Sequence, residues 1–197
     1  MMFVQQISVG IHTTNCYFLA CGGDACFIDP DGVNEAMLRA LSDSGAHLRY
    51  ILLTHGHFDH VGGVKELHQR FPEAEIYLSC KDAAMSHSFF PLDAASVWAK
   101  SYGEGDELPF GDSSIHVYAT PGHTQGSVTL SIAEHLFTGD TLFKGSCGRT
   151  DLVGGDSAAM KASLRRLKEL SGDRKVYPGH GPASTLNEER EYNYFLK

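Results

Sequence analysis

Short apolar runs recur along the first thirty residues at the spacing typical of β-strands. Residues 3–9, 16–20 and 25–28 are rich in Phe, Val, Ile, Tyr and Cys, as expected of strands. Gly22-Gly23-Asp24 separates the last two runs and is typical of a hairpin turn. The pattern therefore predicts three short strands, the last two joined as a hairpin.

The pattern then changes to helical spacing. A helix is predicted over 33–43, with Gly45 just past its end. The apolar run 50–53 is typical of a strand buried on both faces, and it leads straight into the loop 54–60. Helical spacing returns after this loop and ends at Pro72.

The second half of the chain repeats this mixture. The clearest helix is predicted over 157–170, capped by Asp156 or Ser157 and followed by Gly172. Another helix is predicted over 187–196. Predicted strands cover 75–79, 114–119, 127–132, 135–138 and 175–177.

Two segments carry more specific expectations. In 127–132, Val128, Leu130 and Ile132 alternate with hydroxyl side chains, which predicts a half-buried strand. The segment 80–105 is expected to hold one or two short helices and a loop over the functional site. Strands and helices mix in both halves without a linker, so we predict one α/β domain over 1–197 with two sheets and outer helices.

Composition and charge narrow the class of protein. Hydrophobic residues make up 42% and charged residues 20% of the chain, which is ordinary globular usage. The formal net charge of -8 argues against a nucleic-acid binder, which normally presents a basic face. No apolar stretch is long enough to span a bilayer, and the first residues lack the features of a secretory signal.

The cysteine pattern favours a reducing compartment. The chain has 5 cysteines and no Cys-x-x-Cys pair. Cys16, Cys21 and Cys26 lie in or beside apolar runs, where buried free thiols are expected. We therefore expect a cytoplasmic protein.

Histidine carries the chemical information. Three of the 11 histidines fall in the motif His55-x-His57-x-Asp59-His60, and imidazole and carboxylate are the usual ligands of zinc and similar ions. Residues two apart in an extended loop point the same way, so His55 and His57 can bind one ion. Asp59 and His60 can then reach a second ion.

Three further positions share an unusual context. His123, Asp140 and His180 each lie beside glycine just beyond a short apolar run. Strand ends followed by such turns are where proteins place site residues, because the backbone can pack closely around a ligand there. Seven candidate ligands suit a two-metal centre with one shared carboxylate.

Two alternatives concern these histidines. The remaining ones are interpreted as core residues: His12, His47, His68, His87, His116 and His135. A structural zinc site at the first motif would need four ligands and leave no open position. Thiolates are typical of such sites, and no cysteine lies near the motif in sequence, so a catalytic centre is favoured.

The chain resembles the metallo-β-lactamase superfamily, and within it the short, single-domain glyoxalase II-like (hydroxyacylglutathione hydrolase-like) branch. The motifs that carry the resemblance are THGHFDH at 54–60, TPGHT at 120–124, FTGDTLF at 137–143, GRTDLVGGD at 148–156 and YPGHG at 177–181. The resemblance implies an αββα four-layer sandwich of two mixed sheets flanked by helices, with the metals at one edge of the sheets.

Site roles follow from the resemblance by motif. The ligands of the first ion would be His55, His57 and His123. Those of the second would be Asp59, His60 and His180, with Asp140 as the bridging carboxylate. Class B β-lactamases lack that bridging Asp, which argues against antibiotic hydrolysis as the native role.

Other features of the branch concern the substrate. Arg149 matches a basic position that contacts glutathione in the family, which makes it a candidate substrate contact, although Asp151 replaces the aromatic residue expected two positions later. The chain ends soon after His180, so the C-terminal helical domain that helps hold glutathione in typical glyoxalase II enzymes is expected to be absent.

The resemblance predicts a thioester hydrolase. The expected substrate is a small-molecule thioester, such as S-lactoylglutathione or another glutathione conjugate, with no nucleic acid or membrane partner. Two divalent ions, zinc first and iron or manganese as alternatives, would supply the nucleophilic hydroxide. Asp59 is expected to ligate the second ion and to orient that nucleophile.

Three other functions stay open from the sequence. A mononuclear iron persulfide dioxygenase branch shares the Gly-Arg-Thr-Asp stretch and holds one iron with two His and one Asp. A phosphodiesterase or nuclease also suits a two-metal site, although the acidic charge counts against it. A non-catalytic binding module would have no need of seven ligands. Neither the metal nor the oligomeric state follows from the sequence.

Overall fold

The computed structural model describes residues 2–9, 13–85 and 99–197. Its first sheet has six strands whose spatial order is also their order along the chain. They are β1 (Phe3–Val9), β2 (Thr14–Cys21), β3 (Asp24–Ile28), β4 (His47–Leu52), β5 (Glu75–Tyr77) and β6 (Ala99–Lys100). The first three strands pair antiparallel, and β3 to β6 pair parallel. The sheet is therefore mixed.

The second sheet is also mixed. Its spatial order is β14-β13-β10-β9-β8-β7, and only β10 and β13 pair parallel. The strands from residue 107 onward are β7 (Glu107–Phe110), β8 (Ser113–Ala119), β9 (Val128–Ile132), β10 (His135–Gly139), β11 (Leu142–Phe143), β12 (Ser146–Cys147), β13 (Lys175–Pro178) and β14 (Ser184–Thr185). β11 and β12 form a separate small hairpin.

The helices connect and cover these sheets. They are α1 (Glu35–Ser44), α2 (Phe58–Val61), α3 (Val64–Arg70), α4 (Cys80–Ala83), α5 (Ser157–Lys168), α6 (Leu186–Tyr192) and a final 3₁₀ helix, Tyr194–Leu196. Two of them supply the crossovers that parallel strands need: α1 joins β3 to β4, and α5 joins β10 to β13.

Strand alternation produces the central layer of the core. Successive side chains of a strand point to opposite faces. Leu19 of β2 and Ile28 of β3 therefore pack in one buried cluster with Val117 of β8 and Leu130 of β9. The two sheets thus lie face to face, with an apolar layer between them.

The outer face of each sheet is covered by helices. Phe27 of β3 packs in a cluster with Met37 of α1 and Leu67 of α3. Val176 of β13 packs with Leu164 of α5. The resulting order is helix, sheet, sheet, helix, which confirms the predicted αββα sandwich.

The predicted helix ends are held by side chains. Asp156 caps α5, because its carboxylate accepts hydrogen bonds from the backbone N–H groups of Ala158 and Ala159. Gly45 ends α1 in the left-handed conformation, with φ of 62°, which glycine adopts without steric cost. These caps explain why the boundaries of α1 and α5 lie close to the predicted ones.

Two predicted helices are interrupted. The helical pattern after residue 60 breaks at Gly62-Gly63, where a Cβ atom on Gly63 would lie 2.5 Å from the carbonyl oxygen of Gly32. The predicted helix over 187–196 breaks at Asn193, whose buried side chain donates hydrogen bonds to the carbonyls of Phe143 and Ser146. In both cases a close tertiary contact overrides helical periodicity.

The observed exposure of side chains differs from several other predictions. The strand predicted over 127–132 to be half-buried is buried on both faces, because it lies between two neighbouring strands with layers on either side. His47 and His116 are exposed rather than core residues, and His116 pairs with Glu107 across the β7–β8 edge. His68 is half-buried, and His135 is buried as predicted.

Some predictions fall on residues that are only partly described. His12 and His87 lie outside the described residues. Of the segment 80–105, the described residues contain α4 and β6, and the predicted loop over the site lies mainly outside them.

The helices in the described part of the chain are all too short or too polar to cross a membrane.

The layer between the sheets predicts a contrast between two valines. Val117 is 1% exposed and Val153 is 49% exposed. We expect Val117→Ala to lower the free energy of unfolding by about 2 kcal/mol, because it removes two buried methyl groups and leaves a cavity. Val153→Ala should change it by less than about 0.5 kcal/mol. Urea unfolding measures both, and equal effects would contradict the assignment of this core.

Candidate metal centre

Five of the seven candidate ligands lie just beyond strand ends or in a turn between strands, and the other two lie in a short helix. His55 and His57 follow β4, Asp140 directly follows β10, and His180 follows β13. His123 lies in the turn between β8 and β9. Asp59 and His60 lie in α2, the short helix that begins after the first loop. Segments far apart in sequence thus meet at one edge of the two sheets.

The first group of ligand atoms is made of three imidazoles. His57 Nδ1 lies 3.0 Å from His55 Nε2 and 2.8 Å from His123 Nε2. All three side chains are buried. Three imidazole nitrogens that converge on one point match the protein ligand set of a catalytic zinc ion.

The second group combines two imidazoles with a carboxylate. Asp59, His60 and His180 offer ligand atoms that all lie within 4.8 Å of one another. His180 Nε2 lies 3.2 Å from Asp59 Oδ2. The side chains of Asp59 and His180 are 18% and 30% exposed, so solvent and substrate can reach this half of the centre.

Asp140 lies between the two groups. Its Oδ2 is 3.4 Å from His123 Nε2 in the first group and 3.7 Å from His180 Nε2 in the second. Its Oδ1 is 3.5 Å from His60 Nε2. The structure therefore brings all seven candidates into one cluster, with this carboxylate in the position that a shared ligand requires. Their role as ligands stays a prediction.

The outward-facing nitrogens of the ligand histidines are held by other groups. His123 Nδ1 lies 2.8 Å from the carbonyl oxygen of Arg149, and His60 Nδ1 lies 2.9 Å from Asp29 Oδ2. The hydrogen bond to Arg149 keeps the proton of His123 on its outer nitrogen and leaves the inner one free to bind a metal, and the ion-pair contact with Asp29 orients the ring of His60. The histidines are thus oriented for coordination.

Asp29 is a functional residue that the sequence reasoning missed. It follows β3 and is 1% exposed, with a backbone φ of 53°, which is rare for a residue other than glycine. Its carboxylate accepts hydrogen bonds from the Thr54 backbone N–H at 2.7 Å and the Thr54 hydroxyl at 2.6 Å. It therefore fixes the start of the metal loop as well as His60. In the sequence, the only indication of this role was the position of Asp29 at the end of a predicted strand, next to Pro30.

A second buried carboxylate joins two ligand loops. Asp82 in α4 is 0% exposed. It accepts hydrogen bonds from Gly56 N–H at 2.8 Å, between His55 and His57, and from Thr124 Oγ1 at 2.8 Å, next to His123. Burial raises its pKa despite these bonds. This residue lies within the predicted 80–105 segment, whose pattern gave no indication of such a contact.

The pKa shifts divide the centre into two halves. Burial and the neighbouring imidazoles lower the pKa of His55 well below its usual value and that of His57 to about 3. Burial opposes protonation of His60 as well, but Asp29 and Asp140 outweigh it and raise its pKa to about 9. The first half thus offers neutral imidazoles at His55 and His57, and the second half has an excess of negative charge that favours a cation.

The carboxylate of Asp59 stays ionised. Burial opposes its charge, but the hydrogen bond with His180 and the nearby His60 hold the pKa of Asp59 well below its usual value. An ionised carboxylate can accept hydrogen bonds or bind a metal at neutral pH.

The local packing also fits a bound ion. Asp140 Oδ1 is buried and accepts no hydrogen bond within the described part of the chain. A Cβ atom on Gly179 would lie 2.3 Å from that oxygen and 2.7 Å from His60 Cε1, so glycine keeps this space open. An unsatisfied buried carboxylate oxygen is costly, and a divalent cation would remove that cost.

Arg149, the predicted substrate contact, lies in the loop whose backbone contacts His123, two residues after Cys147. The Arg149 guanidinium is paired with Asp151 through two contacts of 2.7 Å and is 62% exposed. Cys147 is half-buried, and burial raises the pKa of its thiol. The sulfur is therefore a poor nucleophile, and Arg149 is accessible to a substrate only together with Asp151.

Comparison with known proteins identifies similar chains. Residues 9–180 match the family model described as the metallo-beta-lactamase superfamily. The hydroxyacylglutathione hydrolase GloC of Haemophilus influenzae is 32% identical over 210 residues, which cover 99% of this chain and 98% of that protein.

Two solved structures are similar to this chain in both fold and sequence. The structure titled BLEG-1 B3 metallo-beta-lactamase has a TM-score of 0.86 and 32% identity, and the match covers 99% of this chain and 100% of that one. TTHA1623, solved in a di-iron-bound form, has a TM-score of 0.83 and 34% identity, with 98% and 100% covered.

The contacts of Asp29 predict how its loss affects metal binding. Asp29→Asn keeps the size of the side chain but removes the charge that holds His60 and one acceptor for the Thr54 hydroxyl. We expect the affinity for divalent metal to fall about 10–100-fold, measured by competition with a chromophoric chelator. Asp43→Asn, at an exposed position in α1, is the control. Unchanged affinity in Asp29→Asn would refute this positioning role.

Proposed function

The chain belongs to the metallo-beta-lactamase superfamily, whose members are in general metal-dependent hydrolases, and on that premise we propose that it hydrolyses thioesters with a two-metal centre. The observation that carries the proposal is the position of Asp140, whose carboxylate lies within 3.7 Å of imidazole nitrogens from both groups of ligands. A single ion would leave one group unused.

The residues divide into two ligand sets. His55, His57 and His123 would hold one ion, and Asp59, His60 and His180 the other, with Asp140 shared. Two divalent ions, when bound, supply Lewis acidity and a water of lowered pKa. A GloC relative of the same length supports the hydrolase assignment through its name.

Asp59 is the residue that would orient the nucleophile. Its carboxylate is ionised and reaches the more exposed half of the centre, so it can accept a hydrogen bond from the attacking water. His180 Nε2 lies 3.2 Å from Asp59 Oδ2, so the two side chains would share the second ion, which would keep the carboxylate in that direction. Positioning of this kind reduces the entropy lost on reaching the transition state.

The leaving group of a thioester does not need a general acid. A thiolate is a stable leaving group because thiols have a pKa near 8.5, so the chain does not need to donate a proton to it. Cys147 has a raised pKa and would not form a covalent intermediate. Arg149 would attract the anionic groups of a thiol such as glutathione. A carboxylate of that substrate would have to compete with Asp151 for the guanidinium of Arg149.

Hydrolysis of β-lactams is the second candidate. The likeness to the BLEG-1 structure, named a B3 metallo-beta-lactamase, favours it. Amide cleavage in a lactam ring gives an amine leaving group, which needs a proton more than a thiolate does. The presence of Asp140 between the ligand groups favours the thioester instead.

Iron remains compatible with these ligands. The TTHA1623 structure contains two irons, and imidazole and carboxylate bind zinc, iron and manganese. A persulfide dioxygenase with one iron would use only part of the seven-residue cluster. Metal content therefore distinguishes the two reactions: two ions per chain support hydrolysis, and one iron with oxygen uptake supports the dioxygenase.

The activity test uses metal-loaded protein with S-lactoylglutathione and a chromogenic β-lactam. We expect thioester hydrolysis with kcat lowered at least about 100-fold by Asp59→Asn, and little turnover of the lactam. The matched control is Asp43→Asn, which removes an exposed carboxylate. His57→Ala should lower metal content as well as rate, whereas His116→Ala, at an exposed position, should lower neither.

The outcomes separate the candidates. A wild-type rate on thioesters no higher than that of Asp59→Asn would reject the thioester proposal. Faster turnover of the lactam than of the thioester would favour the second candidate.

A further inference from the structure

A groove outside the metal cluster has a composition suited to a ligand. It lies between the loop 147–151, helix α5 and the last residues of the chain, with a cavity volume of about 860 Å³. Small-molecule sites typically occupy about 300–1,000 Å³. None of the seven candidate metal ligands lines it. The groove is therefore distinct from the metal cluster, and it borders the substrate contact proposed above through Arg149 and Asp151, which line it.

The wall formed by α5 is unusually basic for this protein. The chain has 24 acidic and 16 basic residues, yet the 12 residues of α5 include four cations and no acid. Lys161, Arg165 and Lys168 line the groove. They lie four and three residues apart, so they share one face of the helix.

The cations on the two faces of α5 differ in whether they form ion pairs. Arg166, which does not line the groove, forms an ion pair with Glu104 and stacks over Tyr118. Among the cations that line the groove, Arg149 is paired with Asp151, which lines it too, whereas Lys161, Arg165 and Lys168 form no ion pair with any residue in the described part of the chain. The wall of the groove formed by α5 thus keeps its positive charge.

The spacing of the cations indicates more than one anionic group. Lys161 and Lys168 are seven residues apart in a helix, which corresponds to about 10 Å along its axis. One phosphate cannot contact both ends of such a row. A ligand with two linked phosphate groups can contact more of the row of cations.

The end of the groove presents aromatic rings. Tyr194 and Phe195 line it and are 79% and 50% exposed. Their rings meet edge to face with centroids 5.8 Å apart, so at least one ring face is available. Exposed aromatic rings next to cations are typical of sites that stack a planar base while binding its phosphates. The floor between them is apolar and includes Met160, Leu164 and Leu196.

We propose that this groove binds a small phosphorylated ligand with a planar ring, of the nucleotide class. The phosphates would contact Lys161, Arg165 and Lys168, and the ring would stack on Tyr194 or Phe195. This inference goes beyond the thioester reaction and does not depend on it. The limited volume of the groove and the acidic character of the rest of the chain favour a single nucleotide over an extended nucleic acid.

The first test is calorimetric titration of the metal-loaded chain with ADP, inorganic pyrophosphate and adenosine. We expect ADP to bind at least about tenfold more tightly than either of the others, since it alone uses both the cations and the rings. Equal affinity of ADP and pyrophosphate, equal affinity of ADP and adenosine, or no binding at millimolar ADP would overturn the proposal.

Variants locate the binding site. Lys161→Ala/Lys168→Ala should weaken ADP binding about tenfold, while Lys65→Ala/Lys175→Ala, which removes the same charge elsewhere, should have little effect. Tyr194→Ala should reduce the preference for ADP over pyrophosphate, and Tyr192→Ala should not, because Tyr192 is 72% exposed and does not line the groove. These exposed positions can be changed without loss of the fold.

Two further results would contradict the assignment. ADP affinity unchanged in Lys161→Ala/Lys168→Ala would place the nucleotide elsewhere, for instance on the metal ions. Tighter binding of a single-stranded RNA octamer than of ADP would replace the small nucleotide with a nucleic acid. Thioester hydrolysis enters none of these measurements, so a failure here is separate from a failure of the proposed reaction.

Discussion

The cost of burying charge is the constraint on which this structure depends. Imidazoles and carboxylates crowd together at one edge of the sheets, and each loses hydration that must be replaced. Asp29 and Asp82 replace part of it, because each accepts several hydrogen bonds from the loops that carry the ligands. A bound cation would replace the rest, since the charges around His60 raise its pKa rather than lower it. The fold therefore prepares a place whose excess negative charge suits a cation.

The two sheets explain how distant segments meet there. β4 and β3 run parallel in one sheet, and β10 and β13 run parallel in the other, so each pair ends at the same edge of its sheet. The apolar layer between the sheets fixes these edges against each other. Positions that follow a strand end are thus close in space whatever their distance in sequence. The precision of the site comes from the core, and the loops contribute the side chains.

The sequence predicted the layers of the fold and the clustering of the candidate ligands better than it predicted the contacts that support those ligands. Apolar periodicity located the strands, and glycine beside His123, Asp140 and His180 indicated turns at their ends. Asp29 was missed because a single Asp before Pro looks like an ordinary turn, and its role depends on Thr54 and His60, which are remote in sequence. Asp82 was missed for the same reason. Breaks at Gly62-Gly63 and Asn193 were also not predicted, since tertiary contacts cause them.

The loop 147–151 serves the metal centre on one side and the basic groove on the other. A Cβ atom on Gly148 would lie 1.8 Å from the carbonyl oxygen of Asp140, so only glycine allows the loop to pack there. The next carbonyl, that of Arg149, holds His123. Because the backbone is fixed by these two contacts, the groove has a rigid wall on this side, and its cations stand on a regular helix capped by Asp156. Rigid walls lower the entropy lost when a ligand binds. The packing that orients the candidate metal ligands therefore also preorganises the groove.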